Sequence, residues 1–458
     1  MEQLMAANEC SPRKNMSVGA PISLLPRIGA FICLLMLTMS AAPAVAQQNE
    51  SEAQLLARAR KIHHRVLTLD THKDISPLLA SEAVPEDPAE RERFITLHDP
   101  RIWGPNQLDF PKMRVGGLDV AFFIVYVGQG PLTPDGFATA RETALTKFEA
   151  INRMCRRFPE HIELARSADD VVRIVREGKL VCAIGVENGY AMGEDLSSIE
   201  EFHRLGARYM SISHNGHSQL GDSHTPEEPL HGGLTDLGRR AIEEMNRVGI
   251  MVDVSHSGKR TMLETVAHSK APVMASHSSV DGVYVHGRNL DDEQLLALKA
   301  NGGVIQIVAF DSYVRDAEAR QQEIAALREE LDLPRRRRGE PVDESEEAVA
   351  LRRLFRERIA EIEERHPPAD VAVMVDHIDH AVNVAGLEHV AISSDFDGGG
   401  GVVGWNDASE TFAVTLELVR RGYTEEQIGA IWSGNTLRVW REVEEVARRL
   451  QDTAQSED

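Results

Sequence analysis

The sequence predicts a (β/α)8 barrel of the TIM type, on three observations. Short apolar runs of strand type alternate along the chain with helical patterns, which is the order that builds a parallel sheet. Eight such runs occur, as many as the barrel requires. Most of them end in a residue that can bind a metal or transfer a proton, and the carboxyl ends of the strands form the catalytic face of such a barrel.

The predicted elements follow one another in a regular order. The helical patterns between the strands are amphipathic: in 235–248, for example, Leu237, Ile242 and Met245 recur at helical spacing. The eight predicted strands, with the polar residues that follow six of them, are 67–70 (His72 and Asp74), 117–125, 181–186 (Glu187), 209–213 (His214), 250–254 (His256), 273–275 (His277), 304–309 and 390–394 (Asp395).

The length and composition fit one large domain. The chain has 458 residues, of which 42% are hydrophobic and 27% charged, as in globular proteins. Barrels reach this length when they carry insertions, so we expect a single domain over 47–458. Its largest departure is 311–365, a segment dense in Glu and Arg after the seventh predicted strand. We expect a helical hairpin there, acting either as a lid or subunit contact or as a solvated decoration.

The amino terminus has the order of a secretory signal. Three basic residues, the last of them Arg27, precede an apolar stretch at 28–39, and Ala44-Val45-Ala46 follows. We expect cleavage after Ala46 and export to the periplasm or the medium; an uncleaved anchor is the alternative. Since spanning a bilayer takes roughly 20 apolar residues, no stable membrane span is expected in the mature protein.

Charge and cysteine content restrict the partners. The net charge of −22 argues against nucleic acid, because an acidic surface repels phosphate. The basic run at 335–338 is interpreted as a solvated loop tip. Beyond the predicted signal only Cys155 and Cys182 remain, and we interpret both as structural. One disulfide between them is allowed, but their geometry is not given by the sequence.

Five of the residues that follow strands predict a metal centre. His72 and Asp74 flank one residue, and extended geometry points both side chains to the same side. His256 and His277 each follow another strand, and Glu187 is a carboxylate that is costly to bury unless it is paired or metal-bound. Placed between the two pairs, Glu187 could give one oxygen to each of two metals. Mixed imidazole and carboxylate ligands suit zinc, with manganese or cobalt left open, and a binuclear centre fits hydrolysis.

Seven segments together resemble a known family. They are 233–235, 244–247, 252–256, 271–277, 287–290, 394–398 and 434–439. In these segments the chain resembles the membrane dipeptidase (renal dipeptidase) family of zinc peptidases, and the similarity extends from about Val66 to Val446. The resemblance implies a barrel of the metal-dependent hydrolase type with two Zn2+ per chain, a dipeptide substrate and, by analogy, a homodimer.

The resemblance also implies residue roles. His72 and Asp74 would hold one ion and His256 and His277 the other, with Glu187 bridging. His214 would contact the substrate near the scissile carbonyl, Arg288 would pair with its terminal carboxylate, and Asp395 would transfer protons. The chemistry of these side chains agrees, since arginine grips a carboxylate at two points and a carboxylate beside two cations can exchange protons. A helix cap at Asp395 and a structural ion pair at Arg288 are the alternatives.

Two positions depart from the family pattern. Lys73, between the first two ligands, could weaken metal binding or point to solvent, and Gly216 replaces a disulfide cysteine of some animal relatives. We predict an exported binuclear zinc dipeptidase that tolerates a D-residue at the carboxyl side. The alternatives are another amide or lactam hydrolase on the same barrel, and a zinc-retaining binding protein without turnover.

Overall fold

The computed structural model describes residues 50–333 and 345–457, and all sheet pairs between its strands are parallel. The predictions for the signal segment and for the basic run at 335–338 lie outside the described residues. The strands are β1 (Leu69–Asp74), β2 (Val120–Tyr126), β3 (Ile162–Leu164), β4 (Leu180–Glu187), β5 (Ala207–Ser211), β6 (Met251–Asp253), β7 (Met274–Ser278), β8 (Val304–Val308) and β9 (Val390–Ser393).

Eight of these strands form a nearly closed barrel, which confirms the predicted fold. Their order is β1-β2-β4-β5-β6-β7-β8-β9, and β3 pairs with β4 alone. The two ends of the sheet meet where the Asp74 amide donates to the carbonyl oxygen of Phe396 at 2.9 Å. The strand β3 was not predicted from the sequence, because three residues that pair only with the start of β4 leave no periodic pattern.

Helices surround the barrel and pack on its outer face. Most begin at a side-chain cap such as Thr235, whose hydroxyl accepts from the Gly238 amide at 2.9 Å. The α-helices are α1 (Glu52–Arg65), α2 (Pro88–His98), α3 (Phe110–Gly116), α4 (Pro134–Arg157), α5 (Ala168–Arg176), α6 (Ser197–Leu205), α7 (Asp236–Val248), α8 (Lys259–His268), α9 (Asp292–Asn301), α10 (Asp311–Val314), α11 (Glu318–Glu330), α12 (Glu346–Arg365), α13 (Val371–Ala385), α14 (Phe412–Arg420), α15 (Glu425–Gly429) and α16 (Asn435–Glu457).

The barrel interior is filled by side chains that alternate along the strands with those facing the helices. Phe122 of β2 lies 5.4 Å from the Tyr209 ring and 5.6 Å from the Trp440 ring, centroid to centroid. Trp440 is fully buried, so α16 closes the amino-terminal end of the barrel. Gly185 makes room inside, because a Cβ there would lie 2.1 Å from the Tyr209 ring.

The expected helical insertion is present after β8, the seventh strand predicted from the sequence. Helices α11 and α12 pack as a hairpin, joined by ion pairs between Arg365 and Glu323 and between Arg358 and Glu330. Residues 334–344 between them lie outside the described part of the chain, and the lid or subunit-contact role stays a prediction.

Two further expectations concern cysteines and the membrane. Cys155 and Cys182 are free thiols in contact with each other. Burial raises the pKa of Cys182, and the neighbouring Cys155 thiol raises it further. In the described part of the chain, every helix is too short or too polar to cross a bilayer.

Candidate active site and metal centre

The barrel brings the eight predicted site residues to the carboxyl ends of its strands. His72 and Asp74 lie in β1 and His277 in β7, while Glu187 is the last residue of β4. The others lie in the loops that follow β5, β6, β7 and β9, and they are His214, His256, Arg288 and Asp395 respectively. A cavity of about 220 Å³ is lined by six of the eight, which are Asp74, Glu187, His214, His256, His277 and Asp395.

The two oxygens of Glu187 face different partners. Its Oε1 lies 3.0 Å from His256 Nε2 and 3.2 Å from His277 Nε2, whereas its Oε2 lies 3.5 Å from His72 Nε2. The predicted bridging carboxylate therefore stands between the two predicted ligand sets, with one oxygen toward each.

The ligand set around His72 also includes carboxylates. Asp395 Oδ1 lies 3.8 Å from His72 Nε2, and the ligand atoms of His72, Asp74 and Asp395 lie within 4.8 Å of one another. The buried Oδ1 of Asp74 accepts no hydrogen bond from any residue that the structure describes. Buried carboxylate oxygens without donors are costly, and a cation would satisfy this one.

Hydrogen bonds fix the orientation of all three histidines that are predicted as metal ligands. Tyr209 donates its hydroxyl proton to the Thr71 carbonyl oxygen at 3.1 Å, so its oxygen accepts from His72 Nδ1 at 2.9 Å. In the same way Ser276 donates to Asp253 Oδ2 at 2.6 Å and accepts from His277 Nδ1 at 2.8 Å.

His256 Nδ1 completes this pattern by donating to Asn215 Oδ1 at 3.0 Å. With each Nδ1 acting as donor, the Nε2 lone pairs of the three rings remain available at Glu187, and His256 Nε2 lies only 2.9 Å from His277 Nε2. Imidazoles with one nitrogen held by an acceptor and the other free are typical of metal sites. The residues present therefore fit metal ions.

Burial and neighbouring charges shift the pKa values of Asp395 and Glu187 in opposite directions. Burial raises the pKa of Asp395 to about 8, with Asp74 and Glu187 adding to the effect and His72 opposing it. Burial also acts to raise the pKa of Glu187, but His72, His256 and His277 outweigh it and hold that pKa well below its usual range. Two carboxyl groups in one site thus have different proton affinities, as acid–base chemistry requires.

Arg288 and His214 both lie beside the predicted metal ligands, Arg288 at His277 and His214 at Glu187. Arg288 donates to Ser278 Oγ and to the His277 carbonyl oxygen, both at 2.9 Å, and its guanidinium lies 5.5 Å from the centroid of the Tyr313 ring. No carboxylate pairs with it among the described residues, so the structural ion pair considered above is absent. His214 lies 4.8 Å from the Tyr126 ring, centroid to centroid, and burial lowers its pKa.

Backbone geometry at the site is unusual. His256 and Asp395 have φ angles of 68° and 56°, in the left-handed region that costs free energy for residues other than glycine. Gly398 approaches the carboxylates so closely that a Cβ there would lie 2.3 Å from Asp395 Oδ1 and 2.6 Å from Asp74 Oδ2. Strain of this kind is common where a site must hold side chains in fixed positions.

Lys73 does not point to solvent, and its effect on metal binding stays a prediction. Its side chain is buried, and its Nζ lies 3.2 Å from Asp397 Oδ2 and 5.6 Å from the centroid of the Phe123 ring. Strand alternation turns it away from the face that carries His72 and Asp74. It therefore neither points to solvent nor lies among the ligands.

Several site residues escaped the sequence analysis: Tyr126, Tyr209, Asn215, Asp253, Ser276 and Tyr313. Most contact the ligands from other strands or loops, so no spacing in the sequence indicates them. Asn215 and Ser276 were detectable, because each adjoins a predicted site histidine.

A (β/α)8 barrel with buried histidines and carboxylates converging at its carboxyl end defines the class of metal-dependent hydrolases. The family model "Membrane dipeptidase (Peptidase family M19)" matches residues 56–454, and the chain belongs to this family.

Individual relatives agree. The chain is 32% identical to Dipeptidase aclJ of Aspergillus oryzae, over 86% of this chain and 82% of that one. It is 31% identical to the probable dipeptidase PvdM of Pseudomonas aeruginosa, whose crystal structure matches with a TM-score of 0.70 over 87% of this chain and 100% of that one. A metallopeptidase of Rhodobacter sphaeroides, liganded with a phosphinate mimic of the dipeptide L-Ala-D-Ala, shares the fold at 23% identity and a TM-score of 0.61, over 82% of this chain and 99% of that one. The protein is thus a peptide hydrolase of the dipeptidase family.

Proposed function

We propose that the protein is a binuclear zinc dipeptidase that hydrolyses the single peptide bond of dipeptides and tolerates a D-residue at the carboxyl side. The observation that carries the proposal is that the two carboxylate oxygens of Glu187 face different histidines. Oε1 points toward His256 and His277, and Oε2 points toward His72. A carboxylate placed in this way can bridge two ions.

The protein would hold one ion with His72 and Asp74 and the other with His256 and His277. Imidazole and carboxylate ligands suit zinc. When bound, such a pair of cations supplies Lewis acidity and activates water for hydrolysis.

The remaining site residues would bind the substrate and move its protons. Arg288 offers a planar, two-point grip for the terminal carboxylate of a dipeptide. His214, kept neutral by burial, can donate a hydrogen bond to the scissile carbonyl oxygen as negative charge develops there. Asp395 would take a proton from the attacking water and deliver it to the leaving amine.

The cellular setting follows from the amino-terminal pattern. We propose that the protein is exported to the periplasm or the medium and cleaved after Ala46, and that it acts there as a homodimer on peptidoglycan or nutrient dipeptides. Mass spectrometry of the protein recovered from the producing cells tests the cleavage directly, since a retained amino terminus would contradict it.

Hydrolysis of paired dipeptides tests the proposal. After chelation and return of zinc, the protein should cleave L,L- and L,D-dipeptides but not their C-terminally amidated forms, because amidation removes the carboxylate that Arg288 binds. Equal cleavage of the amidated forms would favour another amide hydrolase.

A variant separates turnover from binding. Asp395→Asn should retain zinc and lose most of its activity, since the amide cannot carry the proton. Zinc binding without any hydrolysis by the unmodified protein would favour a binding protein instead.

A further inference from the structure

A second cavity adjoins the active site on the side of Asp74. Its volume is about 420 Å³, and its lining includes Lys73, Asp74, Tyr126, Lys147 and Asp397. Asp74 and Tyr126 line the active-site cavity as well, so the two spaces share a wall. None of the residue roles assigned above uses this cavity.

Lys147 of α4 is the unusual residue there. Its residue surface is 8% exposed, and its Nζ lies 5.0 Å from the centroid of the Tyr126 ring. Within the described ranges, no carboxylate lies within 4.0 Å of this ammonium and no hydrogen bond involves it. Lys73, the other lysine of the cavity, is paired with Asp397.

A buried ammonium without a carboxylate partner costs free energy. Burial lowers the pKa of Lys147, and Asp74 and Glu187 oppose this at longer range. Cations held by Asp74 and Glu187 would neutralise those two carboxylates. Lys147 would then be the uncompensated charge of the cavity, and an anionic group would be bound there with a charge-assisted hydrogen bond.

The position of Arg288 indicates which part of a dipeptide reaches this cavity. Arg288 lines a different cavity, of about 210 Å³, which shares none of its lining residues with the cavity of Lys147. The active-site cavity lies between them, since it shares His256 with the cavity of Arg288 and Asp74 with the cavity of Lys147. A dipeptide with its carboxylate at Arg288 and its scissile carbonyl at His214 would therefore extend its amino-terminal residue toward Asp74. The side chain of that residue is then the group next to Lys147.

We propose that Lys147 makes this cavity a subsite for an acidic side chain on the amino-terminal residue of the substrate. The inference rests on the proposed dipeptidase function and names its substrate class: dipeptides that begin with glutamate or aspartate.

A pair of nearly isosteric substrates tests it. The zinc-loaded protein should cleave Glu-Ala with a kcat/KM at least about tenfold above that for Gln-Ala, as a charge-assisted contact implies. Lys147→Met should reduce this ratio to about one, and Lys147→Arg should retain part of it. Lys61→Met, at an exposed lysine of α1, is the matched control and should leave the ratio unchanged.

Binding provides a readout independent of turnover. Of two phosphinate dipeptide mimics, the one with a Glu side chain at the amino-terminal position should have a lower inhibition constant than the one with a Gln side chain, and Lys147→Met should abolish the difference.

A Glu-Ala to Gln-Ala ratio of kcat/KM near one in the unmodified protein, or a ratio unaffected by Lys147→Met, would overturn the subsite while leaving the dipeptidase intact. Failure to cleave either dipeptide would instead contradict the proposed function. If Lys147→Met does not fold, the ratio in the unmodified protein and in Lys147→Arg still decides.

Discussion

At the scale of single residues, the site depends on which nitrogen of each histidine carries the proton. Tyr209, Asn215 and the Ser276 hydroxyl each accept a hydrogen bond from an Nδ1 atom, which leaves Nε2 for a metal. Partners of this kind raise the basicity of the ligand and hold the ring in place.

Replacing Tyr209 with phenylalanine tests this role. Tyr209→Phe removes the oxygen that accepts from His72 Nδ1 at 2.9 Å but keeps the ring that fills the barrel. We expect a loss of zinc affinity of about 10–100-fold, as is usual for partners of metal ligands. Competition with a chromogenic chelator measures it, and Tyr423→Phe, at a tyrosine outside the site, serves as control. Unchanged affinity in Tyr209→Phe would show that the hydroxyl does not orient His72.

Asp222 shows how a buried carboxylate couples stability to pH. It accepts hydrogen bonds from the amides of Leu230, His231 and Gly233 at 2.9–3.1 Å, and these outweigh burial, so its pKa lies below the usual value of 3.8. A depressed folded-state pKa stabilises the protein above the unfolded-state value, and this stability is lost as the pH falls through the folded-state pKa.

Asp222→Asn should therefore destabilise the protein at neutral pH. We expect the free energy of unfolding to fall by about 2 kcal/mol at pH 7, because a charged acceptor is lost. The difference from the unmodified protein should shrink as the pH falls below the usual value of 3.8 and then through the lower folded-state pKa of Asp222. Urea unfolding at a series of pH values measures both, and a difference that stays constant into acid would contradict the assignment.

The site residues differ in how far the sequence predicted them. His72 and Asp74 were predictable because strand alternation places residues i and i+2 on one face. Tyr209 and Asp253 were not, since they contact His72 and the Ser276 hydroxyl across neighbouring or opposite strands. Such contacts form only when the strands close into a barrel, so no spacing along the chain indicates them.

At the scale of elements, α16 closes the amino-terminal end of the barrel. Trp440 is fully buried against Phe122 of the barrel interior, so the last helix contributes to the same core as the strands. The segment 434–439 resembles the family in sequence, but this packing was not predictable, because helical periodicity does not say which surface a helix covers.

Truncating Trp440 tests the contribution of α16. Trp440→Ala should lower the free energy of unfolding by about 3–5 kcal/mol, the range for large aromatic side chains removed from a core. Trp103→Ala, at a tryptophan that is 53% exposed, is the control and should cost much less. Urea unfolding monitored by circular dichroism compares them, and equal effects of the two substitutions would show that α16 is not part of the core.

At the scale of the whole molecule, the order of strands and helices was predictable because each βα unit repeats one local pattern. The short strand β3 and the junction between β1 and the segment after β9 were not, since the first lacks periodicity and the second joins residues more than 300 positions apart. That junction brings Asp395 to His72 and so completes the site.

We propose that this junction and Glu187 of β4 together build a two-metal hydrolytic centre. The most direct test counts bound zinc per chain while zinc is returned stepwise to the chelated protein, with dipeptide hydrolysis assayed at each step. We expect activity to rise with occupancy and to reach its maximum at about two ions per chain. Full activity at one ion per chain, or activity that survives chelation, would contradict the account.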